Sequence, residues 1–213
     1  VADLPELLLP DVAAWHAWLV AHEGTHGGVW LVLAKKGVTE PTSLTYAQAL
    51  DEALCGGWID GQLQRVDDRT HRQRFTPRRP RSLWSARNVG YVARLTAEGR
   101  MRPRGLAEVA AAQADGRWEV AYAGPRTAQV PPELAVALAS SPAATAAFAA
   151  LSGQDRYSVI WRVGTLRTAA GRERAAARHV AAMERDGAPH RPPAEAVAAA
   201  AAAGGVGPVG PRR

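Results

Sequence analysis

The segment Arg74-Phe75-Thr76-Pro77-Arg78-Arg79-Pro80-Arg81-Ser82-Leu83-Trp84-Ser85 has the chain's most chemically loaded spacing. It places four arginines within eight residues. Pro77 and Pro80 restrict the backbone around them, so less entropy is lost when the arginines close on an anion. The segment runs into a helix start, whose free N–H groups favour negative charge. Trp84 offers a surface for a planar ligand or an arginine, and Asn88, with His71 upstream, offers neutral polar contacts. The chemistry implied is a cradle for an anionic or aromatic-anionic small molecule. The competing reading is a solvated basic loop neutralised by acids elsewhere in the chain.

Asp60 follows Trp58-Ile59 in a run that reads as a strand, where alternation puts Trp58, Asp60 and Gln62 on one face. An acid on a pocket-lining face needs a partner, and Arg78 or Arg79 is the expected one. It would serve as a ligand-orienting acid or a general base, or as a structural salt bridge anchoring the arginine loop.

Two further patterns carry less. His22-Glu23-Gly24-Thr25-His26 fits H-E-x-x-H, which holds zinc when both histidines share one helix face. Gly24 inside it and Gly27-Gly28 after it point instead to a polar helix end, so no metal is expected. Cys55 falls in the last turn of a helix, where the negative dipole end raises a thiol pKa, and reads as a small buried hydrophobe. Of the seven tryptophans, Trp30, Trp118 and Trp161 read as core and Trp58 and Trp84 as pocket-lining. Trp15 and Trp18 cannot both point inward, so one of them borders a groove.

The elements that must position these residues follow from periodicity and punctuation. Asp11 caps a helix reaching about residue 22, and Val29–Leu33 is a buried strand. Thr45-x-x-Gln48 is a capping box opening a helix that Gly56-Gly57 stops. Residues 58–65 and 71–75 are strands around an Asp67-Asp68-Arg69-Thr70 turn. Ser82 or Ser85 caps a helix ending near Gly99, and Pro103 opens another ending at Gly116. The second half reads as four helices: 131–139, 142–151, 155–167 and 172–186. The fold class is α+β, a small antiparallel sheet with packed helices followed by a helical region. The expected divisions are 1–125 for the α+β part, 126–187 for the helical part, and 188–213 for a disordered tail rich in Pro, Ala, Gly and Arg.

Composition narrows the function classes. The 213 residues carry 26 Lys+Arg against 20 Asp+Glu, a net +6. The excess is local: residues 62–104 hold twelve arginines and three acids, whereas residues 1–61 hold eight acids and two lysines. One cysteine excludes an intramolecular disulfide framework and a cysteine-built zinc site. No run approaches a membrane span and the acidic start is unlike a secretory signal, so a cytoplasmic location is expected.

The blocks Val29–Lys36, Leu44–Gln62 and Phe75–Asn88 resemble the YdeI/OmpD-associated (OmdA-like, "bacteriocin-protection") family. The resemblance spans roughly residues 10–186. It is most specific at Trp58-Ile59-Asp60-Gly61 and at Phe75–Ser85, and weaker toward the C-terminal end. It implies a bacterial protein associated with protection against toxic compounds, and it supplies no catalytic residues. It suggests that the Trp-Ile-Asp-Gly strand and the arginine loop form one site. The chain departs from the family pattern at Gly56, where an aromatic residue is usual, and this implies extra space beside Trp58.

The leading expectation is a stress- or antibiotic-resistance protein. It binds a small anionic or planar molecule through Trp58, Asp60, Gln62, Arg74, Arg78, Arg79, Arg81, Trp84 and Asn88, without a cofactor. The alternatives are a cofactor-independent tailoring or detoxifying enzyme with Asp60 or His71 as general base, and a nucleic-acid-binding protein. The second is disfavoured because the acidic segment belongs to the same domain. A homodimer is compatible with the helical half.

Overall fold

The computed structural model describes residues 4–187, so the expected tail, 188–213, lies outside the described residues. The chain forms two compact units. Among the described residues, one comprises 4–82 together with Asn88–Glu119; the other comprises Leu83–Arg87 and 120–187.

The first unit is built on a four-stranded sheet: β1 (Glu6–Leu7), β2 (Val29–Ala34), β3 (Trp58–Arg65) and β4 (Thr70–Pro77), in the order β1-β2-β4-β3. β2 and β3 both pair antiparallel with β4, as expected. The sheet is nevertheless mixed, because the two-residue β1 pairs parallel with β2. A two-residue strand is too short to show alternation, and this hides it in the sequence.

Helix α1 (Val12–His22) is capped by Asp11, whose carboxylate accepts from Ala14 N. Helix α2 (Tyr46–Cys55) begins with the complete Thr45/Gln48 capping box. Trp15 and Leu19 of α1 and Leu50, Ala53 and Leu54 of α2 are wholly or almost wholly buried, as are Leu31 and Leu33 of β2, Trp58 of β3 and Phe75 of β4. Each such burial stabilises by about 1.5–3 kcal/mol for the larger side chains. Trp15 packs 5.7 Å from the Phe75 ring and edge-on to Trp58, and its indole N–H donates to Ala49 O. Trp18 is only half-buried and stacks on Trp15 at 5.3 Å, which answers how two tryptophans share one helix.

Helices α3 (Ala86–Ala97) and α4 (Pro103–Ala114) follow. A Cβ at Gly105 of α4 would collide with Cys55 O, so a glycine there lets α4 approach the end of α2. The second unit holds α5 (Pro132–Ala139), α6 (Pro142–Ala150), α7 (Gly153–Gly164) and α8 (Ala169–Asp186). Their core gathers Leu134, Leu138, Phe148, Val159, Val163, Val180 and Met183 around the long α8. Arg172 pairs with Glu133 at 2.7 Å, joining α8 to α5. The architecture is α+β, with a helical C-terminal region. No helix among the described residues is long and apolar enough to cross a membrane.

Candidate functional site

The strand register sorts the candidate residues. Phe75 lies on the helix-covered face of β4, and its partners on the neighbouring strands are Val29 and Asp60. Two residues away, Gln73 pairs with Leu31 and with Leu63. Three β3 residues thus span Asp60 to Leu63 where β4 advances by two, and a bulge sits at Gly61-Gln62. It shifts the phase, so Leu63 and not Gln62 follows Asp60 on that face, and Gln62 is exposed. Arg72 and Arg74 occupy the opposite, outer face, with Trp30 across from Arg74 on β2.

This arrangement reverses the tryptophan expectation. Trp58 is fully buried, 5.8 Å from Trp18, and its indole N–H donates to Glu23 O. Trp84 is also buried, whereas Trp30, Trp118 and Trp161 are half-exposed. The cause is strand phase: Trp58 falls on the face covered by α1, and Trp30 falls on the other. Asp60 shares the Trp58 face, but its partner is the Tyr46 hydroxyl, which donates to Oδ2 at 2.8 Å; no arginine takes that place. Trp84 belongs to the second unit, where its carbonyl accepts from Tyr122 N. Asn88 is buried. His71 sits in register with Leu33 and Arg65. Burial, and then the charge of Lys35, hold its imidazole below the usual histidine value, which favours the neutral form at pH 7.

The four arginines of the loop are split as well. Arg78 is buried at the end of β4, where its N–H donates to Gly57 O. Arg79 and Arg81 are exposed. Ser82 N donates to Arg79 O, and Arg81 takes a left-handed φ of 67°. That conformation costs an L-residue other than Asn or Asp roughly 1 kcal/mol or more. Arg74 is half-buried, and its Nε has no hydrogen-bond partner among the described residues.

Four acids of the N-terminal segment go to other arginines. Glu6 pairs with Arg72 at 2.6 Å. Asp51 pairs with Arg94 at 2.7 Å, and Glu52 with Arg100 at 2.7 Å and Arg102 at 3.3 Å. Glu23 pairs with Arg102 at 2.8 Å, and Asp11 caps α1. Among the described residues Arg74, Arg79 and Arg81 form no ion pair. No direct ion pair thus neutralises these three among the described residues.

Glu52 is the residue that sequence reasoning missed. It is buried on α2 and accepts from Arg100 and Arg102 while meeting His16 Nδ1 at 2.8 Å. Burial alone would raise its carboxyl; the His16 and Arg100 hydrogen bonds outweigh that and hold it below the ordinary glutamate value. An acid between Asp51 and the buried Ala53, on a helix stopped by Gly56-Gly57, was the available signal. Cys55 is buried beside it, its thiol pushed up to about 11 by burial and then by the Glu52 charge. The H-E-x-x-H match dissolves in the same network. α1 ends at His22, Glu23 engages Arg102, His22 Nδ1 donates to Trp18 O, and His26 Nδ1 accepts from Gly28 N.

The comparisons divide the chain along its length. Residues 127–186 match the family model described as "Bacteriocin-protection, YdeI or OmpD-Associated" (OmdA). That segment is similar to the OmdA family. Residues 7–108 match a different model, a domain of unknown function, DUF8412. The OmdA match thus falls on the C-terminal helices, where the sequence resemblance was weakest. The Trp58–Gly61 and Phe75–Ser85 blocks that carried it lie within the DUF8412 match. No curated protein and no solved structure matches the chain.

Proposed function

We propose that this protein binds a small anionic, planar molecule through the arginines of β4 and the loop after it, and that it acts in stress or antibiotic resistance inside the cell. The OmdA segment supports the resistance part of this reading, since its family is described by bacteriocin protection. The binding part rests on one observation: Arg74, Arg79 and Arg81 form no ion pair among the described residues, while Glu6, Glu23, Asp51 and Glu52 are engaged by Arg72, Arg94, Arg100 and Arg102. A bound anion would supply the missing counter-charge. Guanidinium groups suit carboxylate and phosphate oxygens because their donors form a planar fork. Three such groups suit a small ligand better than a nucleic-acid backbone, which typically engages roughly 6–10 phosphates.

The test is isothermal titration of the full chain against aromatic carboxylates, sulfonates and organic phosphates. At least one compound should bind saturably, and Arg79→Ala/Arg81→Ala should weaken it tenfold or more. Absence of binding across the panel, or an unchanged affinity in the double variant, would refute the reading.

A further inference from the structure

Arg74 differs from its neighbours in more than charge. Its Nε is enclosed and has no acceptor among the described residues, a costly state for a charged donor. Its neighbour two residues away, Arg72, is fully engaged: Nε donates to Gln64, Nη1 to Glu6, and the guanidinium lies 5.2 Å from the Trp30 ring centre. Directly across β2 from Arg74 is the half-exposed Trp30. On the other side, β3 presents Gly61, and the Arg74 stem lies against it; a Cβ there would touch that stem at 3.7 Å. Ile59, half-buried, lies one pair further along the same face. An unsatisfied guanidinium thus stands on a sheet face beside an indole and an aliphatic side chain, with a glycine opposite.

We infer that Arg74 is the carboxylate-holding centre of this protein and that Trp30 and Ile59 receive an apolar, planar body attached to that carboxylate; the ligand class is an aromatic monocarboxylate. The inference rests on the anion-binding reading above and narrows it. With Nε enclosed, the two carboxylate oxygens would accept from the terminal nitrogens Nη1 and Nη2, the end-on bidentate pair that favours arginine over lysine. The aromatic body gains from burial against Trp30, so affinity depends on both halves of the molecule.

The experiment titrates the full chain with 1-naphthoate, acetate and inorganic phosphate. It uses wild type, Arg74→Gln, Arg74→Lys, Trp30→Leu, Trp30→Phe and Arg79→Ala/Arg81→Ala, each checked for native circular dichroism. Naphthoate should bind at least tenfold tighter than acetate. Arg74→Gln and Arg74→Lys should each weaken naphthoate tenfold or more. Trp30→Leu should weaken it about fivefold, and Trp30→Phe should restore most of that loss. If naphthoate binds equally well to Arg74→Gln, or no better than acetate to wild type, the inference is overturned. A loss confined to Arg79→Ala/Arg81→Ala with phosphate as ligand would overturn it while leaving the broader reading standing. No binding of any of the three probes overturns the inference, and the broader reading then stands or falls on its own panel.

Discussion

The Glu23 carboxylate and the Arg102 guanidinium meet in the space that a side chain at position 56 would fill. A Cβ on Gly56 would fall onto Glu23 Oε2 and Arg102 Nη2. The room implied by a glycine where the resembling family has an aromatic residue is therefore taken by a nearly buried ion pair. The φ of Gly56 is −95°, so the backbone itself would accept alanine. Gly56→Ala should destabilise by about 1–3 kcal/mol through displacement of this pair. In a Glu23→Ala background the same substitution should cost much less, a coupling that denaturant midpoints would measure.

Stability should fall on acidification through Glu52. Its folded-state pKa is held below the ordinary value of 4.5, so the stabilisation it provides is complete above that value and is lost as pH falls through the depressed one. Melting temperatures between pH 6 and pH 3 check this. Wild type should exceed Glu52→Gln by its largest margin above about pH 5, and the margin should shrink on the way down. A constant margin would contradict this assignment.

Cys55 should be inert in the native protein. It is buried, and its thiol is pushed up to about 11. The thiolate is the reacting form, so an alkylating reagent at pH 8 should label it only after denaturant is added. Rapid labelling without denaturant would show that the end of α2 opens.

Arg81 should trade stability for binding. Its φ of 67° is freely accessible to glycine, so Arg81→Gly should raise stability by about 1 kcal/mol while weakening anion binding. Thermal melts and titrations on the same preparation compare the two effects. A destabilised Arg81→Gly would mean that the side chain itself holds the loop.

Much of the fold was legible because its signals are local. The Thr45/Gln48 capping box, the Asp11 cap and the proline-led helices α4, α5 and α6 stand where punctuation placed them. The site was less legible because it depends on phase and on distant partners. One extra residue at Gly61-Gln62 moves Gln62 off the Asp60 face, and alternation alone cannot register that bulge. Choosing between Trp58 and Trp30 as the buried ring requires knowing which sheet face α1 covers. Tyr46 as partner of Asp60, and Arg102 as partner of Glu23, join residues 14 and 79 positions apart. The arginine segment itself was visible from composition, yet only the distant pairings reveal that Arg74, Arg79 and Arg81 form no ion pair with the N-terminal acids among the described residues.

The central claim is that position, and not basic charge in general, makes these arginines a binding site. The direct measurement compares anion affinity in Arg74→Gln/Arg79→Gln/Arg81→Gln with that in Arg65→Gln/Arg69→Gln, whose arginines lie at the exposed β3–β4 turn. The predicted result is near-complete loss of saturable binding in the first variant and an affinity within about twofold of wild type in the second. Equal losses in both, or binding retained in the first, would contradict the claim.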